Sequence, residues 1–342
     1  MAPSTKKQKT SDAPPTPPPP PPPALVSLPA PISFGRTADH SSLSIMVFDQ
    51  QYLCHSQFLR THSEFFRRIL STNRGGTFDR KDRLSVRYYF VTKLTSPHTW
   101  ELCLRPMEGV FDLSAFKGDI VHDQEAFHNV LKALYYQPYI IKSVAQLETM
   151  VDIAQRLNLL PILSRSFDSV IWRSYAFIDE MPKHGRKLLN LAYKLRNHLL
   201  FRDALCHAAG AWGPAADNTV LDNPELIRIV DKERIQISIM VSEAQSKVTE
   251  IIANEESTEE KRGVNEVKLW KITKGGSYPG TPSWARQVFE TGIYDCSELL
   301  RSNLLTDNGF NKAGVDECKD RFLCAWIDTA DLPWDLTQID WV

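Results

Sequence analysis

Between Leu43 and Leu70 the apolar residues change period, from the two of a strand to the roughly 3.6 of a helix, so strands come first and helices after. In "SLSIMVFD", Leu43, Ile45 and Val47 alternate with Ser44 and Met46. That is the pattern of a half-buried strand. "DQQ" (Asp49 to Gln51) is expected to turn the chain, and "YLC" to return it as the second strand of a hairpin. Ser56 is then placed to cap a short helix carrying Phe58 and Leu59. Ser63 is placed to cap the next, with Glu64 in its first turn and Arg67 and Arg68 near its end. Both charge placements suit the helix dipole. Phe65, Phe66, Ile69 and Leu70 share one face of that helix.

The same reading continues along the chain. "STNRGGTFDRKDR" (71–83) reads as a loop. Two more strands follow, one with Leu84, Val86, Tyr88 and Phe90 alternating, the other with Trp100, Leu102 and Leu104; "TSPH" turns between them. Helical spacing then takes over at Phe127, Val130, Leu131 and Leu134, and at Leu147, Met150, Val151 and Ala154. A third helix opens on Pro161, a residue suited to the first helical position. Hairpin, two helices, strands and three helices make an α+β domain with clustered helices. Beyond it the chain reads as mainly helical. Asn223 caps, Pro224 and Glu225 follow, and Ile237, Val241, Ala244, Val248 and Ile251 step at heptad-like intervals. That stripe covers only two heptads, so packing against its own domain is expected over a coiled coil.

Composition narrows the function classes. The 342 residues carry a formal net charge of -1, with 42% hydrophobic and 10% aromatic residues. A core of good size is available, and wholesale binding to nucleic acid or membrane is not expected. Apolar runs are short, so no membrane span is expected. The N-terminus is rich in lysine and proline and has no apolar signal core, so a cytoplasmic and/or nuclear location with reduced thiols is expected. The six cysteines are scattered. Zinc held by Cys296, Cys318 and Cys324 lacks the tight ligand pairs of structural sites, so no metal or other cofactor is expected. Phosphate-loop, paired-histidine zinc and nucleophile-elbow motifs are missing from the sequence. "KGGSYPG" (Lys274 to Gly280) reads as a loop, and "DRKDRLSVRYYFVTK" as an ordinary strand with Arg87 in solvent rather than an RNA platform. No catalytic residues are assigned.

Two ends stand apart. Residues 1–33 are low complexity, with an unbroken run from Pro17 to Pro23; they read as a disordered polyproline tail or as a ligand for an aromatic-lined groove. "KKQK" (Lys6 to Lys9) has the form of a nuclear address. At the other end, "AWIDTADLPWDLTQIDWV" carries Trp326, Trp334 and Trp341 among aspartates. It either docks elsewhere as a short peptide or folds back to bury its indoles; fold-back is expected.

Four stretches in order carry a family resemblance: "LSIMVFDQQYLCHSQFLRTHSEFFRRIL", "DQEAFHNVLKALYYQPY", "LETMVDIAQRLNLLPILSRSFDSVI" and "LLNLAYKLRNHLLFRDALCHAAGAWG". The sequence resembles a BTB/POZ domain of the fungal type, with a helical C-terminal extension. On that resemblance the domain spans 38–175 with an insertion near 72–105, and 176–342 is the helical region ending in the acidic tail. Two departures stand out: Ser41 and Ser42 sit where the family often has an aspartate, and the connection before "DQEAF" is long. The resemblance implies a non-enzymatic protein–protein interaction module, a self-associating scaffold or an adaptor, with a homodimer and a cullin-type ubiquitin ligase scaffold as candidate partners. Competing classes are a nuclear transcription- or chromatin-associated factor and an enzyme within the C-terminal half. His55 is expected to hydrogen-bond backbone at the strand-to-helix junction rather than to catalyse. Met46 and Phe48 alternate with the inward residues, so they are expected to point outward and form the self-association surface.

Overall fold

A computed structural model describes residues 29–34, 42–72, 86–104, 112–212, 219–254, 278–306, 311–335, 337 and 341. Outside them lie the proline run, "KKQK", most of the 71–83 loop, "EESTEEKRG" and most of "KGGSYPG".

The elements follow from the two periodicities. Strand β2 (Leu43–Val47) pairs antiparallel with β3 (Gln50–Cys54) in the register Val47↔Gln50, so Phe48 and Asp49 form the hairpin turn. Helices α1 (Ser56–His62) and α2 (Glu64–Thr72) follow. Strand β4 (Tyr88–Ser96) then pairs parallel with β2, and β5 (Thr99–Leu104) antiparallel with β4. With β1 (Ile32–Ser33) parallel to β3, the sheet order is β1-β3-β2-β4-β5. Helices α3 (Ile120–Leu134), α4 (Val144–Arg156) and α5 (Leu160–Ile171) come next, as their spacing predicts. The short α6 (Tyr175–Glu180) leads to α7 (Gly185–Leu195), α8 (His198–Gly210) and the long α9 (Pro224–Asn254). Two further helices, Pro282–Thr291 and Ser297–Leu300, precede an irregular C-terminal segment. No helix among the described residues is long and apolar enough to cross a membrane.

Four details depart from the sequence reading. Phe48 does not point outward: it is 8% exposed, with its ring 5.7 Å from Trp100 and 4.8 Å from Phe116. Its φ of 54° ends the strand alternation and swings the side chain under the turn. The Thr92 hydroxyl holds it there, accepting from the Phe48 N–H at 2.9 Å. Met46 stays half-buried, so the expected apolar pair is not displayed. Second, order begins inside the 1–33 segment that reads in sequence as a disordered tail. Phe34 is buried against Tyr52, His128 and Tyr135, and Ile32 and Ser33 form the edge strand. Third, Tyr88–Leu104 is no appendage, because β4 lies beside the central β2 and is buried at Tyr88, Phe90 and Thr92. Fourth, Ser56 does not cap α1. The Ser42 hydroxyl does, from the entrance to β2, accepting the Ser56 N–H at 2.9 Å. Ser63 caps α2 as expected and also donates to the Leu157 carbonyl at 2.6 Å, tying α2 to the end of α4.

One apolar cluster runs from Phe34 to Leu332, through both halves of the sequence. Ile237, Val241, Ala244 and Val248 of α9 lie in it, so that stripe packs on its own domain. The acidic tail folds back. Ala325, Ile327 and Leu332 are buried, and Trp334 meets Phe201 edge-on at 5.1 Å. The guanidiniums of Arg202 and Arg196 lie over the rings of Trp326 and Trp341.

Candidate functional site

The end of α3 is where the surface becomes unusual. The apolar stripe stops at Leu134, and the chain leaves the helix through Tyr136, which has φ 55°. Gln137 N–H donates to Lys132 O and Tyr136 N–H to Ala133 O, the paired bonds of a left-handed helix stop. Glycine is the usual residue at that position, because a side chain there costs on the order of 1 kcal/mol. Here a tyrosine occupies it, with 75% of its surface in solvent. The connection then alternates. Tyr139 is buried and its hydroxyl bonds Ser166 of α5 at 2.7 Å; Ile140 is half-exposed; Ile141 is buried and its N–H donates to the Ser174 hydroxyl at 2.9 Å. Asn129 of α3 holds the Ile140 carbonyl at 3.0 Å. Ser143 then caps α4 through the Gln146 N–H.

Two clefts flank this connection. The first, about 400 Å³, lies between Tyr136, Pro138 and Tyr139 on one side and Ile162, Arg165, Ser169 and Arg173 on the other. The second, about 390 Å³, lies along α3, with His128, Lys132, Ile140 and Lys142 in its wall. Pro138, Tyr139 and Arg173 belong to both. Trp172 and Tyr175, on either side of Arg173 in sequence, are also exposed.

The polar groups of the clefts are held by the fold. Ser166 donates to Leu163 O, and Ser169 donates to Ser166 O. Burial pushes the Tyr139 phenol up to about 12, so it stays protonated and bonded to Ser166 at neutral pH. Burial, with help from Lys132, lowers the His128 imidazole, which favours the neutral ring. The arrangement presents rings, aliphatic edges and guanidiniums on a supported backbone. Aromatic rings and arginines are residue types enriched at protein interfaces in general.

The residues singled out in sequence lie elsewhere. The His55 backbone N–H donates to the Tyr135 hydroxyl at 3.0 Å, and its side chain makes no cap hydrogen bond, so the expected bond from His55 to junction backbone is not the one seen. Phe48 lies in the core, as described above. Among the described residues no group of three or more His, Cys, Asp or Glu side chains is gathered for a metal, and Cys296 and Cys318 are buried. Tyr136, Ile140, Arg165 and Arg173 were not singled out in sequence. Tyr136 and Ile140 leave one trace there, "YYQPYI", aromatics running on past the last core leucine into a proline; Arg165 and Arg173 leave none.

No protein-family model matches the chain, and neither a curated protein nor a solved structure matches it.

Proposed function

We propose that this chain is a non-enzymatic interaction module, an adaptor or scaffold, and that it docks a protein partner on the face between Tyr136 and Arg173. The observation that carries the reading is Tyr136 itself. A bulky ring is kept in a costly left-handed conformation and held in solvent at the wall of the first cleft, and strain of that kind collects at binding sites. The order of hairpin, two helices, strand pair and three helices supports the BTB/POZ resemblance. Under that resemblance a cullin-type ligase scaffold is the first partner to test.

The test compares the tagged full chain with a Tyr136→Asp/Ile140→Asp variant in cells that express the chain. Both substituted residues are exposed, so the variant is expected to melt like the parent. Quantitative affinity mass spectrometry is expected to show a defined set of partners lost from the variant. An unchanged partner set with a correctly folded variant overturns the site.

A further inference from the structure

We infer that the Tyr136–Arg173 face selects an acidic segment with one bulky apolar anchor, an inference that rests on the docking reading just given. Its charges are one-sided. In the first cleft the charged lining residues are Arg165 and Arg173, both cationic. In the second, Lys132, Lys142 and Arg173 face one carboxylate, Glu125. Both oxygens of that carboxylate are taken by Lys142 Nζ, at 2.8 and 2.7 Å. Arg165, Arg173 and Lys132 make no ion pair among the described residues, and both arginines are exposed. A chain of net charge -1 has therefore concentrated unpaired cations at the place where it also displays apolar rings.

Charge of this sort selects partners more than it adds affinity. Arginine forks take carboxylates in a two-point geometry that lysine cannot match. The anchor follows from the first cleft, whose volume of about 400 Å³ is walled by Tyr136, Pro138, Ile162 and Val170. Arg165 and Arg173 are eight positions apart along α5 and its exit, about 12 Å at the helical rise. An extended peptide covers that distance in about four residues. The expected motif is thus a carboxylate, an aromatic or leucine anchor, and a second carboxylate about four positions from the first.

The test pans a random-heptapeptide phage library on three forms of the full chain: wild type, Arg165→Glu/Arg173→Glu, and Tyr136→Asp/Ile140→Asp. Wild type is expected to enrich acidic peptides with a central anchor. Those peptides, made synthetically, should bind the arginine-reversal variant at least tenfold more weakly and lose affinity in 0.5 M salt. The reversal variant should enrich basic flanks instead. If wild type enriches apolar peptides indifferent to the arginine reversal yet lost on the Tyr136/Ile140 variant, docking stands and the acidic partner is overturned. If no selected peptide depends on either variant, both readings fail. Tighter binding of a single-stranded oligonucleotide than of any acidic peptide also overturns the inference.

Discussion

Phe48 offers the sharpest test of the fold, because the outward and inward placements predict opposite results. Inside, its ring fills space between Trp100 and Phe116. Truncating a buried phenylalanine to alanine removes its transfer energy and leaves a cavity, about 3–5 kcal/mol in total. At 8% exposure and near a surface turn, Phe48 belongs at the lower end, about 3 kcal/mol. The backbone supplies a second handle. At φ 54° alanine keeps the left-handed strain, on the order of 1–2 kcal/mol, whereas glycine does not. Glycine loses part of that gain to unfolded-state entropy, about 0.5–1 kcal/mol. Phe48→Gly is therefore expected to be more stable than Phe48→Ala by about 0.5–1 kcal/mol, the reverse of the usual order in strands. Urea unfolding followed by circular dichroism, with linear extrapolation, measures both variants. Sedimentation analysis of the same samples reports oligomeric state. A Phe48→Ala protein as stable as wild type but with an altered oligomeric state would refute the buried placement.

Three further outcomes are expected. Deleting 1–28 should leave the melting temperature near that of the full chain, whereas deleting 1–34 should lower it by several degrees, since Phe34 and the edge strand go with it; equal melting of the two deletions contradicts this. Burial, then Arg321, depresses the His207 imidazole to about 3, against about 6.5 when unfolded. The unfolded chain thus takes up the proton first, and stability is lost as pH falls from about 6.5 toward 3, by up to about 1.4 kcal/mol per pH unit. Urea midpoints at pH 7 and 5 should fall more for wild type than for His207→Leu, and equal falls refute the assignment. Gly210→Ala should cost about 3 kcal/mol, because an added Cβ would run into the Phe322 carbonyl oxygen; a thermal melt within a degree of wild type argues against that approach.

Local chemistry made most elements legible. Leu43, Ile45 and Val47 announced a strand, Phe127 to Leu134 a helix, and Ser63 a cap, because each signal lies within a few residues of what it specifies. Non-local pairings were not legible. The Ser42 hydroxyl caps a helix fourteen positions away, and β4 chooses β2 as its parallel neighbour from across the two intervening helices. The edge strand at Ile32 has two residues beside prolines, too short for any period to register. Phe48 misled because alternation was carried into a turn, where a positive φ resets the facing of the side chain. The candidate site was hidden for the same reason. Arg165 and Arg173 look like ordinary solvated charges until the packing of α3 on α5 brings Tyr136 beside them.

The returning tail has a consequence for how the chain is made. Asp203 is fully buried, and its carboxylate accepts from the Leu305 and Thr306 N–H groups, more than 100 positions downstream. Arg202 reaches Thr329, and Gly210 O accepts from Phe322. A ribosome adding about 5–20 residues per second needs roughly 5–20 s to deliver those partners after α8 has left it. During that interval a carboxylate destined for the interior waits for the Leu305 and Thr306 N–H groups, and α8 lacks the cover of Phe322. Arrival of the segment from Leu305 to Thr329 therefore completes the packing of α8. A chain truncated before Phe322 leaves α8 without that cover, and such a product is expected to be cleared by proteolysis faster than the full chain.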